Sequence, residues 1–124
     1  MNLSGFFKSV IDADHAPVVI CSLEHEIIYM NPSAAERYKK RGGYKLVGSS
    51  LLNCHNSESN EKIRKVIEWF SKSSDNNRIF TFHNASENKD VYMIALRNDT
   101  GDLIGYYEKH EYRKSETNDT YQFK

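Results

Sequence analysis

The chain has 124 residues, enough for one compact domain and too few for two. Seventeen basic residues balance seventeen acidic ones, and a net charge of zero supplies no pull toward nucleic acid or an anionic membrane. With 39% hydrophobic and 27% charged residues, the composition is that of a folded domain with a core and excludes a disordered chain.

No apolar run approaches the roughly 20 residues that span a bilayer. The opening Met1-Asn2-Leu3-Ser4-Gly5-Phe6-Phe7 lacks the basic and long apolar regions of a secretory signal. Cys21 and Cys54 stand alone, without paired spacing, and read as reduced thiols of a cytoplasmic protein. There is no CxxC, no HExxH and no phosphate-binding glycine loop, so no metal centre or nucleotide site is expected.

Leu3, Phe6, Phe7, Val10 and Ile11 recur at helical spacing and predict an N-terminal amphipathic helix over 3–12. Its stripe packs either on its own domain or on a second subunit. Ala16 to Cys21 reads as a buried strand. Glu24-His25-Glu26 is turn-like, and Ile27-Ile28-Tyr29-Met30 completes a hairpin. Asn31-Pro32 pairs a favoured cap with a favoured first residue, so a helix begins there, runs through Tyr38 and stops at Gly42-Gly43. Arg37, Lys39, Lys40 and Arg41 complement its C-terminal end.

Residues 44–59 are irregular, with short helical turns. Ile63, Val66, Ile67 and Phe70 mark an amphipathic helix with Ser57 or Ser59 as its cap, followed by a polar break over 71–77. Three strands follow, at 78–84, 91–97 and 103–112, joined at Ser86-Glu87-Asn88-Lys89 and at Asn98-Asp99-Thr100-Gly101-Asp102. One of Phe82 and His83 should face the core, and Tyr106-Tyr107 should place one ring on each face of the sheet. Residues 114–124 form a polar tail. The expected class is α+β, a five-stranded antiparallel sheet with helices on one face.

This order resembles the PAS sensory domain over residues 4–113. Ala16-Pro17-Val18-Val19-Ile20 looks like its first strand, and Ile28-Tyr29-Met30-Asn31-Pro32-Ser33-Ala34-Ala35 is similar to the second strand and capped helix. Val47-Gly48 matches a short turn, and Asp99-Thr100-Gly101-Asp102-Leu103-Ile104-Gly105 looks like the turn between the last two strands. Leu52-Asn53-Cys54-His55-Asn56 also resembles a bacterial subgroup, sometimes attached to hemerythrin-like regions, that has Asn-Cys-His-Pro here; Asn56 stands in place of that Pro.

The resemblance implies a curved sheet closed by helices around a cavity that holds a small ligand. The residues expected to line it are His55, Cys54, Tyr29, Tyr38, Ile67, Phe82 and Tyr92. Flavin is disfavoured, because Asn53-Cys54 matches only the first two letters of the light-sensing Asn-Cys-Arg-Phe-Leu-Gln segment. Haem through His55 is a weaker option, since one His without a spacing motif is more often structural. His15, His25 and His110 are expected to be solvated. Cys54 and His55, being sequence neighbours, point in different directions and make no nucleophile–base pair, so a non-catalytic module is expected. Few residues follow position 113, so a signal would leave through a homodimer, formed by Leu3, Phe6, Phe7 and Val10, or through a partner protein in trans. The alternative is a pocketless PAS interaction module.

Overall fold

A computed structural model describes residues 1–123; Lys124, the end of the expected tail, lies outside the described residues. The chain runs through α1 (Ser4–Ala13), β1 (Val19–Ser22), β2 (Ile27–Met30) and α2 (Pro32–Arg37). Three 3-10 turns follow, Lys39–Arg41, Gly43–Leu46 and Leu51–Cys54, then α3 (Ser57–Lys72), β3 (Arg78–Asn84), β4 (Lys89–Arg97) and β5 (Leu103–Tyr112). All pairings are antiparallel, in the order β2-β1-β5-β4-β3. The last strand in sequence is therefore the central one. The α+β class and the five-stranded sheet are as the sequence predicts.

The core lies between one face of this sheet and the helices laid across it. Cys21, Ile27, Met30, Met93 and Tyr106 meet Ala34 and Ala35 of α2 and Ile63 and Phe70 of α3. Met30 and Phe70 are almost wholly removed from water. Burying a side chain of that size contributes about 1.5–3 kcal/mol, and this layer holds the helices down. Helix α1 differs, because none of its residues is buried and Phe6, Phe7 and Val10 are mostly exposed. It touches the domain at its C-terminal end, where the Tyr29 hydroxyl donates to Asp12 and Asn31 Nδ2 donates to the Ile11 carbonyl at 2.9 Å.

Several boundaries differ from expectation for local reasons. β1 begins at Val19, because the Val18 N–H is taken by Asn31 Oδ1 and the Ala16 carbonyl by Asn31 Nδ2. The α-helical part of α2 ends at Arg37, and the chain tightens into 3-10 turns before Gly42, where φ is +122°. The cap of α3 is Asn56, not Ser57 or Ser59: its Oδ1 accepts from the Ser59 N–H at 2.8 Å. Ser71 stays inside α3 by donating to the Ile67 carbonyl, so the polar break starts later than its composition suggests. Arg97 closes the other end of α3, donating to the carbonyls of Phe70, Ser73 and Asn76. β4 starts at Lys89, two residues before the expected Val91.

Edge strand β3 carries a bulge between Phe80 and Phe82. Thr81 is left to donate its hydroxyl to the Val91 carbonyl, and the alternation of side chains breaks. Phe80 and Phe82 both remain about half exposed, and His83 turns outward to Asp90 at 2.7 Å. Phe82 and His83 alternate as expected, Phe82 opposite the buried Val91 and His83 opposite Asp90, but Phe82 stays half exposed because β3 is the edge strand.

Arg37 ties α2 to the β3–β4 turn through a two-pronged pair with Glu87, both contacts at 2.8 Å. The guanidinium hydrogen bonds hold the Glu87 carboxyl at about 2, against a usual 4.5. A depressed folded-state value stabilises above the unfolded value and loses that contribution as pH falls. Stability should therefore decline from about pH 4.5 toward pH 2, and Arg37→Met should remove that part of the decline. The pair is half exposed, so its contribution at neutral pH should be at most about 1 kcal/mol and shrink with added salt. Urea melts across this range check it; an unchanged acid limb in Arg37→Met would contradict it.

Candidate functional site

Between the sheet and its cover lies a cavity of about 300 Å³. Val19 and Cys21 of β1 and Met93 of β4 reach its floor by strand alternation, and in β2 a bulge at Ile28 brings both Ile27 and Met30 to the same face. Central strand β5 adds Tyr106, Glu108 and His110, which share one face at a spacing of two. The cover is built from the segment between α2 and α3: Tyr38, Arg41, Leu46, Leu51, Cys54 and His55, with Ile63 of α3.

That irregular segment is held in place by the edge of β2. Ile27 N–H donates to the Ser49 carbonyl, Gly48 N–H to Ile27, and Leu51 N–H to His25, all within 2.9 Å. Gly48 adopts φ of +95°, which a side chain would strain. The edge strand is thereby covered and the cavity roof is fixed at once.

Three of the seven sequence-selected residues meet at the cavity: His55, Cys54 and Tyr38. His55 sits exposed at the rim, with Nδ1 3.0 Å from the Leu51 carbonyl. The other four lie elsewhere. Tyr29 points to Asp12, Ile67 packs against the core from α3, and Phe82 is on the bulged edge. Tyr92 lies on the outer sheet face, with the Arg78 guanidinium 4.0 Å from its ring centroid and its hydroxyl taken by Arg113.

Further polar groups of the cavity come from residues not selected for it, Arg41, Tyr106, Glu108 and His110. His110 was expected to be solvated, but it is buried on the inner face because β5 is the middle strand. His25 is half-buried in the β1–β2 turn, 2.8 Å from the Tyr106 hydroxyl, and burial pushes its ring below the usual imidazole value. His15 is exposed, as expected. Tyr106 and Tyr107 divide between the two faces, with Tyr106 buried and Tyr107 half-buried.

Electrostatics of the site follow from burial around one carboxylate. Burial pushes the Cys21 thiol up to about 11, leaving it protonated and a poor nucleophile. Burial also raises the Tyr38 and Tyr106 hydroxyls, and the negative charge of Glu108 adds to each of these shifts. No cluster of three or more His, Cys, Asp or Glu side chains suited to a metal ion occurs among the described residues.

No protein-family model matches the sequence. No curated protein matches it either. Solved structures do match. A C-terminal domain from Streptococcus mutans is 20% identical, with a TM-score of 0.68 over 87% of this chain and 83% of that one. The PAS domain of a Colwellia psychrerythraea protein is 10% identical, at 0.64 over 89% and 96%. The Aer2 receptor of Vibrio cholerae, described as a dual PAS-heme oxygen sensor, is 16% identical, at 0.55 over 76% and 90%. Identities this low speak to architecture alone. The likeness extends over most of the chain, and with its five-stranded antiparallel sheet the chain has the PAS fold.

Proposed function

We propose that the protein is a non-catalytic sensory module that takes a small organic ligand into this cavity and passes its occupancy to a protein partner or a second copy. The observation that carries the reading is the cavity itself: apolar walls, a few convergent polar groups, and a roof pinned to β2. His55 is exposed and engaged with backbone, and among the described residues no base pairs with Cys54, which supports a binding role over a chemical one. The free thiols Cys21 and Cys54 suit a reducing compartment such as the cytoplasm.

The residues do not fit haem. About 300 Å³ is the lower end of the range for small-molecule cavities, roughly 300–1,000 Å³, and suits a molecule of one or two rings over a tetrapyrrole disc. His55, exposed at the rim, would also hold an iron in solvent.

Mass spectrometry of the denatured extract from fresh protein, beside its absorbance spectrum, tests the reading. A stoichiometric organic mass without a Soret band is expected. An empty extract, with no uptake from a metabolite mixture, would overturn the ligand reading in favour of the interaction module. That second reading has its own support in the exposed stripe Leu3, Phe6, Phe7 and Val10 on α1. The same stripe is the surface we assign to a homodimer. Light scattering should find a dimer that Phe6→Glu with Phe7→Glu converts to a folded monomer. A monomeric parent would refute the dimer.

A further inference from the structure

Most polar side chains around the cavity already have partners. The Tyr106 hydroxyl meets His25 at 2.8 Å, Arg41 Nη1 donates to the Cys54 carbonyl at 3.3 Å, and His55 Nδ1 meets Leu51 at 3.0 Å. Glu108 and His110 are different. His110 Nε2 stands 3.2 Å from Glu108 Oε1, and no Lys or Arg among the described residues is within ion-pair distance of that carboxylate. The His110 side chain is 5% exposed, and its Nδ1 is buried without a hydrogen-bond partner.

An ionised carboxylate only accepts, and it has room for about four hydrogen bonds. Nε2 is the ring nitrogen of His110 that faces Glu108, so the buried ring packs beside the carboxylate at the cavity. Met93 lies directly across from Glu108, and Val19, Ile27 and Met30 line the same cavity with no hydrogen to offer, while its donors are confined to side chains such as Tyr38, Arg41 and Tyr106. Glu108, 43% exposed beside this apolar space, keeps unfilled acceptor capacity. Water fills it in the empty protein; a ligand that displaces the water must return a donor.

Resting on the reading of the cavity as a ligand site, we infer that its ligand is a compact, largely apolar molecule carrying an N–H or O–H donor, and that this donor meets the Glu108 carboxylate, with His110 as the positioning residue. A shape-matched molecule without the donor leaves the carboxylate desolvated and unpaired, and binds more weakly.

Indole and benzofuran are the probes: nearly the same bicyclic shape, with N–H in one and ring oxygen in the other. Titrations followed by amide chemical shifts should find indole about tenfold tighter on the parent protein, the discrimination expected for a hydrogen bond to an ionised acceptor. Glu108→Met should erase the preference while leaving benzofuran affinity unchanged, and His110→Phe should reduce it. Melting curves on both variants establish that they are folded, and the exposed position of Glu108 makes its variant the safer of the two. Equal affinities on the parent, or a preference that survives Glu108→Met, would overturn this inference and leave the cavity reading standing. Binding of neither probe would overturn the cavity reading and this inference with it.

Discussion

Asn31→Ala is expected to destabilise the protein by about 4 kcal/mol, more than any other polar substitution in the chain. Asn31 is wholly buried, and its one side chain serves three segments. Oδ1 accepts from the N–H groups of Val18 and Ala34, each at 2.9 Å, so it bridges the approach to β1 and the first turn of α2. Nδ2 donates to the carbonyls of Ile11 and Ala16, at 2.9 and 3.0 Å, and so fixes the end of α1. Alanine removes the helix cap and leaves several backbone groups unpaired out of reach of water. Losing a cap costs about 1 kcal/mol, and a stranded buried group about 1–3 kcal/mol. Asn31→Asp keeps the acceptor and loses the donors, so it should fall between parent and alanine. Urea unfolding reads the series; a loss below about 1 kcal/mol for Asn31→Ala would contradict the assigned hub.

Gly105→Ala should be worse tolerated than its single methyl group suggests. A Cβ at Gly105 would lie 2.3 Å from the Cys21 carbonyl oxygen. Gly105 pairs with Ser22 of β1 on one side and with Leu96 of β4 on the other, so the clash falls at the middle of the sheet. The obstructing atom belongs to a backbone that both β1 and β5 hold in register, and no side-chain rotation relieves it. Relief requires the two strands to part, which costs the floor of the cavity as well as the pairing. A loss of more than about 3 kcal/mol, or failure to fold, is expected. Gly5→Ala is the control: it lies in α1 with open space around it, and should be neutral or stabilising by up to about 1 kcal/mol. Thermal melts of both variants make the comparison, and equal melting points would refute the close approach at Gly105.

These two residues also mark where sequence reading succeeds and where it stops. Asn31-Pro32 after an apolar run announces a capped helix, because a cap is a local arrangement written in consecutive residues. The further bonds from Asn31 to Ile11 and Ala16 are not announced, since they depend on how the chain folds back. Gly105 stands in a plain strand pattern, and its need to be glycine exists only once β1 lies beside it.

Local patterning therefore determined the element types, their order, both turn clusters and the α+β class, because each depends on neighbours within a few positions. The PAS resemblance, not local patterning, selected Tyr38, Cys54 and His55, which line the cavity from in or beside the segment between the helices. The resemblance selected Tyr29 and Tyr92 as well, yet these lie away from the cavity: side-chain alternation tells which residues share a face but not which face is inward. Tertiary structure alone decided that β5 is the central strand, and with it that Glu108 and His110 belong to the cavity. A charged and an ionisable residue near the end of a final strand read as solvent-facing in any window. Burial is set by what packs against a residue from far along the chain, and that is decided by the pairing of β5 with β1 and β4.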